Sequence, residues 1–251
     1  MQHCQPYGIQ TVSQGGKNGC DTRMTTSQRV ALVQQFALFS GISAADCTII
    51  LSTSRERHFS RRQTIFCAGD PIQQILLLTL GSVKVTQFGQ DGKEAILRIK
   101  GSGEVLGLEL WSGTNHCSTA QALESSSALV WEAASFEALS QRFPVLRRNT
   151  TRILGERLRE LEERFREIST EKVAPRVSSQ LVRLLNQVGR RLNGNVEVSL
   201  SREELGQLTG TTLFTVSRLL SQWQHRGIVS ARREAVLVRN LPALIELTQG
   251  E

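Results

Sequence analysis

The chain reads as an α+β protein in three parts: an N-terminal antiparallel β-barrel, one long helix and a C-terminal winged helix-turn-helix. Three observations predict this order. Between Arg61 and about Glu132, short β-rich segments are broken by turn signals such as Gly69–Asp70–Pro71, Gly89–Gln90–Asp91–Gly92 and Gly101–Ser102–Gly103. Turns at such intervals are the rhythm of an antiparallel sandwich or barrel. From about Pro144 to Thr170, Thr151, Leu154, Leu158, Leu161, Phe165 and Ile168 recur at spacings of 3, 4, 3, 4 and 3, an a/d seam flanked by charge. From Ser201 to Val229 the residues SREELGQLTGTTLFTVSRLLSQWQHRGIV read as helix, glycine turn, helix and strand. The expected divisions are a mobile tail over 1–27, the barrel over 28–143, a dimerisation helix over 144–171 and the winged helix-turn-helix over 172–251.

Taken in order, helical signal begins near Arg29, with Val30, Val33 and Phe36, and stops at Gly41; SAADCTIILSTS begins another short helix. Within the barrel, FGQDGKEAI reads as a hairpin turning near Asp91–Gly92. The narrow seam of the long helix suits a parallel two-helix coiled coil, hence a homodimer through Leu154, Leu158, Leu161, Phe165 and Ile168. Pro175 reads as a hinge, followed by a helix from about Arg176 to Arg191 and a strand in NGNVEVSL.

In the C-terminal part, Ser201 and Glu204 have the spacing of a capping box. Val216, Leu219, Leu220 and Trp223 form the buried face of the second helix. That leaves Thr211, Thr212, Leu213, Phe214, Thr215, Ser217 and Arg218 for an outward face. Hydroxyls and a guanidinium suit the major groove, where arginine bonds two acceptors on guanine and threonine methyls touch thymine. The two short segments around ARRE form a wing tipped with Arg232 and Arg233. The partner expected is double-stranded DNA.

Composition agrees. The chain has 251 residues, 39% hydrophobic and 21% charged, with a net charge of +7. Between Glu171 and Asn240 there are eleven Lys and Arg against five Asp and Glu, so the excess lies where phosphates would be met. No apolar run approaches the ~18 residues that span a bilayer, and the first residues lack an apolar core with a basic leader. A cytoplasmic protein with no membrane partner is expected. The five cysteines, Cys4, Cys20, Cys47, Cys67 and Cys117, are scattered and make no CxxC or Cys/His metal pattern. There is no nucleophile–base signature and no glycine-rich phosphate loop, so an enzyme is not expected.

The segments IFCAGDPIQQILLLTLGSVKV, DGKEAILRIKGSGEVLGLELW, TAQALESS and LGQLTGTTLFTVSRLL resemble the CRP/FNR superfamily of bacterial transcription regulators over about Arg29 to Leu241. GLELWSGTNHCSTAQALESS is closer to the FNR side than to the cyclic-AMP receptor side. The resemblance implies a cyclic-nucleotide-binding-like jelly roll that senses a signal and a dimer that binds a palindromic site. It also implies contact with RNA polymerase around Asp91–Glu94. It matches Arg218 to the family arginine that contacts guanine. Phe214 stands where many members carry a glutamate, which implies a half-site unlike TTGAT or TGTGA.

The same resemblance frames the signal. Cyclic-AMP binders use a glycine–glutamate and an arginine–serine pair; here those places read Gly107–Leu108 and Ser118–Thr119, and no arginine falls between Arg98 and Arg142. Glu109 is one residue late and would point to the other face of a strand. A buried phosphate with no cation is costly, which argues against cyclic AMP. Cys4 and Cys20 are too far apart for the family's N-terminal cysteine group, and the barrel cysteine's place reads Val130 or Trp131. This argues against a four-cysteine iron–sulfur cluster. Haem is left open, with His3, His58, His116 and His225 the only imidazoles. The candidate effector pocket is Gly107, Leu108, Glu109, His116, Cys117, Ser118 and Thr119. Cys47 and Cys67 read as core, and Cys117, beside a base, as the thiol to test for redox sensing. A redox, oxygen or nitrogen-oxide-related signal is expected rather than cyclic AMP.

Overall fold

The computed structural model describes residues 24–111, 113–192 and 194–249. Cys4, Cys20, His3 and most of the expected tail lie outside the described residues. Helix α1 (Thr26–Val33) starts from a capping box in which the Thr25 hydroxyl accepts from Gln28 N and the Gln28 side chain accepts from Thr25 N. A 3₁₀ turn (Ala37–Phe39) and α2 (Ala44–Ser52), capped by Ser43, complete the N-terminal helices.

The barrel follows as β1 (Arg55–Phe59), β2 (Thr64–Phe66), β3 (Gln74–Leu80), β4 (Val83–Phe88), β5 (Glu94–Lys100), β6 (Val105–Leu106), a 3₁₀ turn (Leu108–Trp111), β7 (Thr119–Ala122) and β8 (Ser126–Glu132). Two four-stranded antiparallel sheets face each other, ordered β1-β8-β3-β6 and β2-β7-β4-β5. The expected hairpin is β4–β5; Gly89 N donates to Lys93 O and Gly92 adopts a left-handed φ of 76° at its turn. Between the sheets lie Phe59, Leu76, Leu78, Val83, Ala120 and Val130. Outside them α1, α2 and the next helix cover Trp131, whose indole N–H donates to Ile50 O at 2.9 Å.

Helix α3 (Ala133–Arg142) leads into α4 (Pro144–Thr170), with proline in its first turn, where the missing N–H costs nothing. Asn149 moors α4 by donating to Leu38 O and Ser40 O at 2.9 and 2.8 Å. Then come α5 (Val173–Val188), β9 (Arg190–Leu192), β10 (Asn195–Val198), α6 (Arg202–Thr209), α7 (Leu213–His225), β11 (Val229–Ala231), β12 (Val236–Val238) and α8 (Leu241–Glu246). The last sheet is ordered β11-β12-β10-β9.

Three sequence expectations are corrected. Pro175 lies within the first turn of α5 rather than in a hinge before it, because proline is tolerated there. The helix ends at Val188, and Arg190–Leu192 is strand β9, paired with β10. The sheet begins at Arg55, not Arg61, because the polar strand RERHF buries only Phe59 and carries no alternating apolar signal.

The C-terminal part rests on the barrel. One apolar cluster joins Ile96, Ile99 and Leu123 of the barrel to Leu181, Leu205 and Leu208 of α5 and α6. Arg164 of α4 stitches the junction, donating to Leu97 O and, at 2.7 Å, to Leu208 O.

Candidate nucleic-acid interface and effector pocket

The capping box of α6 forms as expected: the Ser201 hydroxyl accepts from Glu204 N at 3.2 Å, and Glu204 Oε2 accepts from Ser201 N at 2.9 Å. Gly210 ends α6 with φ 63°, a left-handed conformation that glycine adopts without steric cost. Gly206 makes the corner tight: a Cβ there would meet Thr211 O at 2.9 Å. Thr212 caps α7 by accepting from Thr215 N at 3.2 Å. Val216, Leu219, Leu220 and Trp223 are buried beneath.

The expected outward face is exposed only in part. Phe214 is 82% exposed; Leu213, Thr212 and Arg218 are exposed, and Thr211, Thr215 and Ser217 half-buried. Gln224 of α7 accepts from Ala231 N at 3.0 Å, tying the wing to the helix. The two wing arginines differ. Arg232 donates to Glu197 at 2.8 Å, whereas Arg233 extends from the tip, exposed.

The seam of α4 also faces outward. Leu154, Leu158, Leu161, Phe165 and Ile168 are all exposed, Leu158 at 57% and Phe165 at 72%. Among the described residues this apolar stripe is left open to solvent, and a long exposed apolar stripe of this kind marks an interaction surface. Glu167 on the opposite side is buried and accepts from Arg183 of α5 through both oxygens, at 2.6 and 2.5 Å.

The structure disperses the candidate effector residues. Leu108 is buried in the apolar cluster with Trp131 and Phe136, as a core residue. Glu109 stands on a 3₁₀ turn rather than a strand, which invalidates the alternating-face argument. Gly107 turns the chain at φ 84°. His116 is 5% exposed and stacks on Phe66, ring centroids 3.6 Å apart and nearly parallel. Burial holds the His116 imidazole below its usual range, partly offset by Glu109 and Asp70. Cys117 is exposed while His116 faces inward, so the neighbouring base does not serve the thiol. Cys117 Sγ lies 3.6 Å from the buried Ser118 hydroxyl, and Thr119 accepts from Ala68 N at 3.0 Å. Cys47 is core as expected, but Cys67 is half-buried.

Sequence reasoning missed the cations. Lys100 of β5 is 3% exposed and donates to Val105 O at 2.6 Å. Arg157 of α4 donates to the same carbonyl. Burial drives the Lys100 ammonium well below the ordinary lysine range; Arg157 and Arg98 push the same way, and Glu104 and Glu109 oppose it. Burial likewise brings Arg157 down to about 10. Positive charge therefore converges on the Val105 carbonyl from β5 and α4: the family pattern leads one to look for an arginine, whereas Lys100 is a lysine, and Arg157 lies beyond Arg142 in sequence. Among the described residues no group of three or more His, Cys, Asp or Glu is placed to hold a metal ion, and no described helix is long and apolar enough to cross a membrane.

Comparisons with known proteins bear on both regions. Residues 56–143 match the cyclic nucleotide-binding domain family, and residues 175–247 match the Crp-like helix-turn-helix domain family. The chain is 26% identical over 196 residues to the anaerobic regulatory protein of Pasteurella multocida, covering 77% of this chain and 72% of that one. It is 29% identical over 214 residues to the cyclic AMP receptor protein of Thermus thermophilus, covering 85% and 97%. Among solved structures, FixK2 from Bradyrhizobium japonicum superposes with a TM-score of 0.69 at 25% identity, covering 77% of this chain and 96% of that one.

Proposed function

The chain belongs to the CRP/FNR superfamily of transcription regulators and is not an enzyme; from that premise we propose that it acts as a homodimer. The α4 seams pair, and each protomer sets its α7 in the major groove of one half of a palindromic site. Arg218 reads guanine, and Phe214 touches a thymine methyl in place of an acceptor–donor contact. The carrying observation is the stripe from Leu154 to Ile168, which stays exposed among the described residues. Pairing along it relates two recognition helices by a two-fold axis, the symmetry of a palindrome. The β4–β5 turn at Asp91–Glu94 is the surface offered to RNA polymerase.

The sensed signal is of a redox, oxygen or nitrogen-oxide-related kind. The absence from this sequence of a glutamate at Leu108 and an arginine at Ser118 supports a signal other than cyclic AMP. The deciding experiment has two arms. Sedimentation of the protein on palindromic and half-site duplexes should give two protomers per palindrome; one per duplex would end the dimer reading. Absorption spectra of protein purified with and without oxygen should change with the signal; identical spectra and identical DNA affinity would end the redox reading.

One observation favours a second reading, a cyclic-nucleotide-responsive module. Lys100 and Arg157 bring buried positive charge close to Glu109, and an anionic phosphate would relieve it. Calorimetric titration with cyclic AMP separates the two readings: a saturable heat selects this one, and none rejects it.

A further inference from the structure

The β1–β2 turn, Ser60 to Gln63, presents two adjacent arginines toward the wing. Arg61 Nη2 lies 2.7 Å from Glu234 Oε2, and Arg62 Nη2 lies 2.9 Å from Glu234 Oε1. One carboxylate is thus gripped at both oxygens by two guanidiniums 172 residues away in sequence or nearly so. The contact lies along an open cleft of about 710 Å³ between barrel and wing, which Arg190 and Arg233 also line.

The turn is built to hold this pose. Arg62 has φ 66°, the one positive value at a non-glycine residue among those described. Glycine would take that conformation without steric cost; an arginine held there is strained, and such strain gathers at sites with a role. Arg62 N donates to Ala122 O at 2.7 Å, Gln121 donates to Arg62 O at 3.0 Å, and Arg61 Nε donates to Leu123 O at 3.1 Å. These bonds fix the arginines from the barrel side. On the other side, Glu234 is the acidic residue of the ARRE wing tip, beside Arg232 and Arg233. In a wing that approaches phosphates, a carboxylate is repelled; docked on the barrel it has two partners.

We propose that Arg61, Arg62 and Glu234 form an ionic latch that holds the wing on the barrel and competes with DNA for it. The proposal rests on the wing being part of the DNA interface. Exposed ion pairs are individually weak and salt-screened, so the latch biases the wing without locking it. DNA offers Arg232 and Arg233 a denser array of charge, and opening the latch lets Glu234 move away from it.

The test measures DNA binding by fluorescence anisotropy at low salt, on full-length protein and a random-sequence duplex. R61Q/R62Q should bind about 3- to 10-fold tighter than wild type, despite losing two positive charges, because two weak pairs are released. The charge-swapped R61E/R62E/E234R should return toward wild type. Weaker binding by R61Q/R62Q would make these arginines DNA contacts and overturn the latch; unchanged binding would also overturn it. Amide exchange without DNA supplies an independent readout. Residues 229–238 should lose protection in R61Q/R62Q, and unaltered protection overturns the latch even if no variant binds DNA. Failure of the wild type itself to bind any duplex would instead count against the DNA-binding wing.

Discussion

Helix α7 and the barrel arrange their candidate functional side chains in opposite ways. On α7 the candidate contact residues are neighbours in sequence, exposed or half-buried, and oriented by a short capped helix whose other face is sealed in the core. In the barrel, the charged and aromatic groups come from β5, α4, a 3₁₀ turn and the segment before β7; Lys100 and His116 are buried, and Glu109 and Arg157 half-buried. An interface that meets a large rigid partner is written in local periodicity. A site that meets a small one is assembled by tertiary packing, so its chemistry appears only after the chain has folded.

The comparison can be broken most severely through the stripe that would make two such interfaces act together. L158K/L161K places two charges on the exposed seam. It should yield monomers by light scattering and lower affinity for a palindrome by at least about 100-fold, because the second contact is no longer intramolecular. Next is the interface itself. R218A should cost about 1–3 kcal/mol of specific binding and relax one base position, with binding to random DNA little changed. Equal losses on both duplexes would make Arg218 a phosphate contact instead.

Two variants sharpen the barrel side. K100M removes a buried ammonium whose folded-state pKa is depressed by desolvation. Methionine carries no charge to desolvate, so the K100M urea midpoint at neutral pH should be equal or higher. The sign with pH follows. Between the lowered folded value and the ordinary lysine value, the unfolded chain holds a proton that the folded chain lacks, so stability rises with pH across that window. K100M should abolish this rise. The smallest effect is expected from H116F, which keeps a ring to stack on Phe66. His116 resists protonation when folded, so wild-type stability should fall as pH drops below the ordinary histidine range. H116F should flatten that limb, as read from urea midpoints.

The order of barrel, long helix and winged head was legible because each part has its own period. The residues Leu154 to Ile168 and Val216 to Trp223 repeat at helical spacing, and a capping box needs only Ser201 and Glu204. What escaped had no period. The strand Arg55–Phe59 buries one side chain, and β9 is three exposed residues paired to β10. The family alignment at Gly107 puts Leu108 in a pocket, but Leu108 shares the apolar core cluster of Trp131 and Phe136. Lys100 and Arg157 lie 57 positions apart and meet only at the Val105 carbonyl. Arg62 was invisible for another reason: nothing in Ser60–Gln63 announces a left-handed arginine, and only the folded turn reveals the strain.

Arg164 gathers carbonyl oxygens from Leu97 on the barrel and Leu208 on the head while belonging to α4 itself. That single side chain ties the long helix to both bodies at one point. If two protomers pair along α4 as proposed, a twist between them would reach barrel and head together through this one side chain.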